Sequence, residues 1–111
     1  MITVKISEEA KYAFAAYRRQ FTLDEQVDAL LEEMAELAHA LLNARKQGRA
    51  DAKEMDWQEV GSAVVEELAD VQICLTQVTN RLCAAFLLDS NKAVGSAMEK
   101  KIKRMRERIG V

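Results

Sequence analysis

Between Val60 and Phe86 the sequence leaves a helix almost no polar side. Val60, Val64, Val65, Leu68, Val71, Ile73, Leu75, Val78, Leu82 and Phe86 spread around nearly the whole circumference at about 3.6 residues per turn. A helix of that character is central rather than peripheral, so neighbours must cover it on several sides. The chain has no proline, and its four glycines, Gly48, Gly61, Gly95 and Gly110, fall mostly near the expected helix ends. The expected fold is therefore all-α.

Four helices account for the length. The first is expected over about 7 to 19, started by Ser7 with acidic residues behind it. Thr22 and Glu25 form a capping box that opens a second helix running to about Lys46. The polar segment 46 to 56 reads as the one clear loop. A third helix starts between Asp56 and Ser62 and continues to about Leu88; Asp89 to Asn91 breaks it, and a fourth covers about 91 to 108. With 111 residues the chain is expected to be a single domain over 1 to 111, and a domain of this size buries only a little over 60% of its unfolded surface. The expected architecture is a four-helix bundle-like protomer assembling into a homodimer or homotetramer. Tyr12, Phe14, Ala15, Tyr17 and Phe21 on the first helix are expected to add an aromatic-rich surface for that assembly.

Composition removes several function classes. Half the residues are apolar, 31% are charged and the net charge is −2, which suits a soluble globular chain and gives no general attraction for nucleic acid. The N-terminus lacks the apolar core of a signal peptide, and no stretch approaches the ~18 uninterrupted apolar residues of a membrane span. The expected location is the cytoplasm, with no membrane partner. Cys74 and Cys83, nine residues apart in one expected helix, are separated by roughly 13 Å and turned to opposite faces, so they cannot pair with each other and are read as small core residues.

Two acidic islands interrupt the apolar pattern. "LLEEMAEL" at 30 to 37 holds Glu32, Glu33 and Glu36, and "VVEELADV" at 64 to 71 repeats the arrangement with Glu66, Glu67 and Asp70. Residues at i and i+3 share a helix face, so Glu33 points with Glu36 and Glu67 with Asp70. Glu32 and Glu66 are turned by about 100° from these neighbours, toward solvent or an outer shell. If the two helices pack antiparallel, four carboxylates share one small volume. Such a group must be protonated, paired with cations or bound to divalent metal. Oxygen ligands without matching His or Cys suit a hard ion such as Mg²⁺, which commonly binds together with substrate phosphates. Glutamate pairs of this spacing also occur as solvated stripes; the apolar setting of the second island and the recurrence of the spacing favour the metal site.

His39, three residues after Glu36, completes a Glu-x-x-His pair of the kind used in di-iron bundles, but those need the pair on two helices and the chain has one histidine. His39 is expected to be a half-buried or interfacial residue. The segment 99 to 109 carries six Lys or Arg against two Glu. It is either a solvated helix end favourable to the helix dipole or a phosphate-binding surface in which Lys100, Lys101, Arg104 and Arg108 fall on adjacent faces. Trp57, at the junction of the polar loop and the third helix, is a candidate for stacking on a base and equally a staple or interface residue.

Taken together, Gln26, the Glu32, Glu33 and Glu36 island and the Glu67 and Asp70 pair resemble the MazG-like branch of the all-α NTP pyrophosphohydrolases, whose signature is EExxE followed after a spacer by ExxD. The similarity covers roughly residues 22 to 108. It departs from the family's usual pattern on the fourth helix, where Ala97 stands at the position of a lysine and Lys101 at that of an asparagine, with Arg104 in place. The resemblance implies hydrolysis of a canonical or non-canonical nucleoside triphosphate to the monophosphate and pyrophosphate, as nucleotide-pool house-cleaning. It implies Mg²⁺ as cofactor, with Mn²⁺ as substitute, held by Glu33, Glu36, Glu67 and Asp70, with Glu33 or Glu36 orienting or deprotonating the attacking water. Gln26, Trp57, Lys101 and Arg104 would bind substrate. The alternative expectation is a non-catalytic helical oligomeric regulatory module that retains the acidic site as a relic.

Overall fold

The computed structural model describes residues 5–50 and 60–111. They form four α-helices and no strand: α1 (Glu8–Gln20), α2 (Leu23–Ala50), α3 (Val60–Ala85) and α4 (Ser90–Ile109). None of these helices is by itself long and apolar enough to cross a membrane.

The helix starts follow local side-chain chemistry. The Ser7 hydroxyl accepts from the Ala10 N–H at 3.0 Å and caps α1. At the head of α2 the capping box closes in both directions: the Thr22 N–H donates to Glu25 Oε1 at 3.0 Å, and the Glu25 N–H donates to Thr22 Oγ1 at 3.2 Å. Asp89 Oδ1 accepts from the Lys92 N–H at 3.1 Å to start α4.

Two ends depart from the sequence expectation. Helix α2 runs through Gly48 to Ala50 rather than stopping near Lys46. A single glycine costs a helix only about 1 kcal/mol, too little to halt one already 24 residues long by Lys46 when Lys, Gln and Arg flank it. The rest of the expected loop, and with it Trp57, lies outside the described residues. Helix α3 ends at Ala85, three residues early. Leu87 takes a left-handed conformation (φ 55°). The Leu88 N–H donates to the Cys83 carbonyl at 2.7 Å and the Leu87 N–H to the Ala84 carbonyl at 3.1 Å, which is a Schellman closure with leucine where glycine is usual.

The chain forms two compact units, Met1–Val78 and Thr79–Val111. In the first, α2 and α3 run antiparallel: Gln26 and Gln77 line one cavity, Glu33 interacts with Asp70, and Glu36 with Glu67, so each step up α2 matches an equal step down α3. The buried apolar side chains among the described residues are Ala44, Val64 and Val78. Within one chain α3 is thus covered over only part of its circumference. Val65, Leu68, Ile73 and Leu75 remain exposed, because the 13-residue α1 is too short to wrap a 26-residue helix. The second unit consists of the end of α3 with α4, whose C-terminus is closed by Gly110 in the left-handed conformation (φ 71°) and a bond from the Val111 N–H to the Arg106 carbonyl.

Candidate metal centre and adjoining cavity

Antiparallel pairing places the two acidic islands at the same level. Glu33, Glu67 and Asp70 each bring a carboxylate oxygen to within 4.8 Å of the others. Glu36 stands close enough to both Glu33 and Glu67 for its negative charge to act on each. Glu33 and Glu67 are half-buried, and one oxygen of each, Oε2, is shielded from solvent with no hydrogen-bond partner.

The electrostatics follow from that crowding. Burial is the main cause that pushes the Glu33 carboxyl above the usual carboxylate range, and the negative charges of Glu36, Asp70 and Glu67 push it further. Glu67 is raised in the same way, by burial first and then by Glu36, Asp70 and Glu66. Cys74, one turn beyond Asp70, has its thiol raised by burial and by the charges of Glu33 and Asp70.

Beside the carboxylates lies a cavity of about 540 Å³ between α1, α2 and α3. Phe14, Tyr17 and Phe21 form its aromatic wall, with the Tyr17 and Phe21 ring centroids 4.5 Å apart. These three side chains thus line a cavity within one chain, while Tyr17 keeps 49% of its surface exposed and Tyr12, 80% exposed, stays outside. Gln26 and Gln77, each only 3% exposed, set two amides into a mostly apolar lining that also includes Glu25, and Ala29 and Cys74 lie between them and the acidic cluster.

The expected site residues thus fall into three groups. Glu33, Glu36, Glu67 and Asp70 come together, and Gln26 lies two turns of α2 away in the adjoining cavity. Glu32 and Glu66 are exposed. Lys101 and Arg104 are exposed on α4 in the second unit, three residues apart on one face. His39 is exposed rather than half-buried, and the group of possible metal ligands among the described residues does not include it. Sequence reasoning missed Gln77 and gave Cys74 a core role. A signal for both existed: Gln77 follows Asp70 by seven residues, as Gln26 precedes Glu33 by seven, and Cys74 lies midway on the same face.

No protein-family model, curated protein or solved structure matches the chain.

Proposed function

We propose that the protein is a Mg²⁺-dependent nucleoside triphosphate pyrophosphohydrolase. The observation that carries this reading is the convergence of Glu33, Glu67 and Asp70 within 4.8 Å, with the charge of Glu36 beside them. A structural ion-pair cluster would bring basic side chains, yet the groups that perturb Glu33 and Glu67 are all acidic. Two shielded carboxylate oxygens lack partners, and an all-oxygen donor set of this kind fits a hard divalent cation.

Glu33, Glu36, Glu67 and Asp70 would hold the metal, which when bound supplies neutralisation of the triphosphate charge and a more acidic water. The protein's own part is orientation and proton transfer. Glu33 or Glu36 accepts a proton from water as its oxygen bonds to the α-phosphorus; the bond from that phosphorus to the bridging oxygen breaks, and pyrophosphate leaves. Two helical turns, roughly 10.5 Å, separate the carboxylates from Gln26 and Gln77, which leaves room for the sugar beside Ala29 and Cys74 and for the base against the aromatic wall. Exposed Lys101 and Arg104, and Trp57, remain candidates for the rest of the substrate.

The test is incubation of the folded protein and Mg²⁺ with a panel of canonical and modified ribo- and deoxyribonucleoside triphosphates, with detection of pyrophosphate. Release that needs Mg²⁺ and is lost in Glu36→Gln and Asp70→Asn is the expected result. A panel without turnover, together with melting that Mg²⁺ does not shift, would turn the reading toward the non-catalytic module.

A further inference from the structure

Gln77 is the buried polar group to which the proposed reaction gives no task. It lines the cavity, is only 3% exposed, and among the described residues its carboxamide makes no hydrogen bond. An amide withdrawn from water is costly until a partner in the cavity bonds to it. It presents an N–H donor and a carbonyl acceptor side by side, the pair with which glutamine holds the edge of a base through two parallel hydrogen bonds. That edge alone does not choose between bases: turned over, it fits a keto base as well as an amino base. The charge around it does choose. Among the described residues, Glu25 is the one charged side chain in the cavity lining. The Thr22 N–H holds Glu25 Oε1 at 3.0 Å, and the N–H and hydroxyl of Thr22 keep the Glu25 carboxyl below the usual range. At neutral pH it is therefore a fixed carboxylate that can only accept. At the acidic end of the cavity the charges of Glu33 and Asp70 reach the Cys74 thiol. In such a field a ligand edge that carries N–H groups is favoured, and one that carries carbonyl oxygens is disfavoured.

We propose that Gln77 selects the base of the substrate, and that the cavity takes an amino-bearing base, cytosine or adenine, in preference to its keto counterpart, uracil or hypoxanthine. The Gln77 carbonyl accepts from the exocyclic amino group, and its NH₂ donates to the adjacent ring nitrogen. Phe14, Tyr17 and Phe21 supply the aromatic surface against which the ring lies. A keto base can bond to the same amide only by bringing a carbonyl oxygen into a lining whose one charged side chain is negative. The inference rests on the pyrophosphohydrolase reading for the substrate being a nucleotide, and it adds which bases that nucleotide carries.

Two measurements on the full chain test this. With Mg²⁺, kcat/KM for dCTP should exceed that for dUTP, and kcat/KM for dATP that for dITP, by roughly tenfold or more, the discrimination that one bidentate contact gives. Calorimetry with dCMP and dUMP, which needs no hydrolysis, should show dCMP binding more tightly by a similar factor. Gln77→Met, close to glutamine in length and volume but without the amide, should abolish both preferences; helical circular dichroism checks that it is folded, and the unsubstituted protein decides the matter if it is not. Turnover that treats dCTP and dUTP alike, with equal binding of dCMP and dUMP, overturns the proposal and leaves the pyrophosphohydrolase reading standing. A preference that survives undiminished in folded Gln77→Met overturns it as well. No turnover of any triphosphate, with dCMP still bound more tightly than dUMP and the difference lost in Gln77→Met, supports the base selection and refutes the hydrolysis.

Discussion

Glu33 and Glu67 each keep one carboxylate oxygen out of water without a hydrogen-bond partner, beside other acids. A charge so placed is costly until a cation or proton neutralises it. Glu67→Gln should therefore raise the melting temperature of the metal-free protein while removing most of the increase that Mg²⁺ produces. A fall in the metal-free melting temperature would mean that Glu67 serves as a structural partner. The same residues fix a pH dependence. Because the Glu33 and Glu67 carboxyls are raised above the ordinary value of about 4.3, their contribution to stability is present in full below that value and is lost as pH rises through the folded-state values. Glu25 is lowered by the Thr22 N–H and hydroxyl, so its contribution is present above that value and is lost as pH falls through its folded-state value. In chelator, the melting temperature should rise from neutral pH toward about 4.3 and fall again below it; with Mg²⁺ the rise should shrink, because protons compete for the ligands. The four carboxylates were legible in sequence because i, i+3 spacing fixes a shared face whatever the tertiary structure. Gln77 was legible only as a spacing that mirrors Gln26, because its burial exists only once α2 and α3 pair.

Helix starts were legible for a similar local reason: Ser7, Thr22 with Glu25, and Asp89 bond to backbone N–H groups within three residues. Thr22→Ala should cost about 1 kcal/mol, read as an equal shift in chemical-denaturation stability, because it leaves the Glu25 N–H without its acceptor. Helix ends were harder to read, since they depend on backbone geometry that a side chain does not announce. Leu87, 95% exposed, adopts a conformation that costs an L-residue roughly 1–2 kcal/mol and glycine almost nothing. Against that stands about 0.4–1 kcal/mol from the greater freedom of an unfolded glycine. The strain is the larger effect, so Leu87→Gly should stabilise the isolated protein by about 0.5–1 kcal/mol in the same measurement. A destabilised variant would show that the leucine side chain is held by contacts that outweigh its backbone strain.

Across the whole molecule, α2 and α3 serve two surfaces at once: carboxylates and buried amides toward each other and α1, and exposed apolar side chains such as Leu31 and Leu68 elsewhere. That α3 is apolar nearly all round already implied more apolar surface than its partner helices in one chain can cover; which residues stay uncovered depends on how little surface α1 can reach. If a cation binds the first surface and a second copy the second, each ligand favours the native state by mass action, by about 2.7 kcal/mol at a hundredfold excess over its dissociation constant. No residue belongs to both surfaces, so the two contributions should add. Melting temperature should then increase with protein concentration in chelator, and Mg²⁺ should displace that whole dependence upward without changing its slope. Leu31→Glu should flatten the concentration dependence and retain the Mg²⁺ increment, whereas Glu67→Gln should do the reverse. A Leu31→Glu variant that loses both would show that the carboxylates are arranged only within the assembly, which would make the protomer interface part of the metal centre.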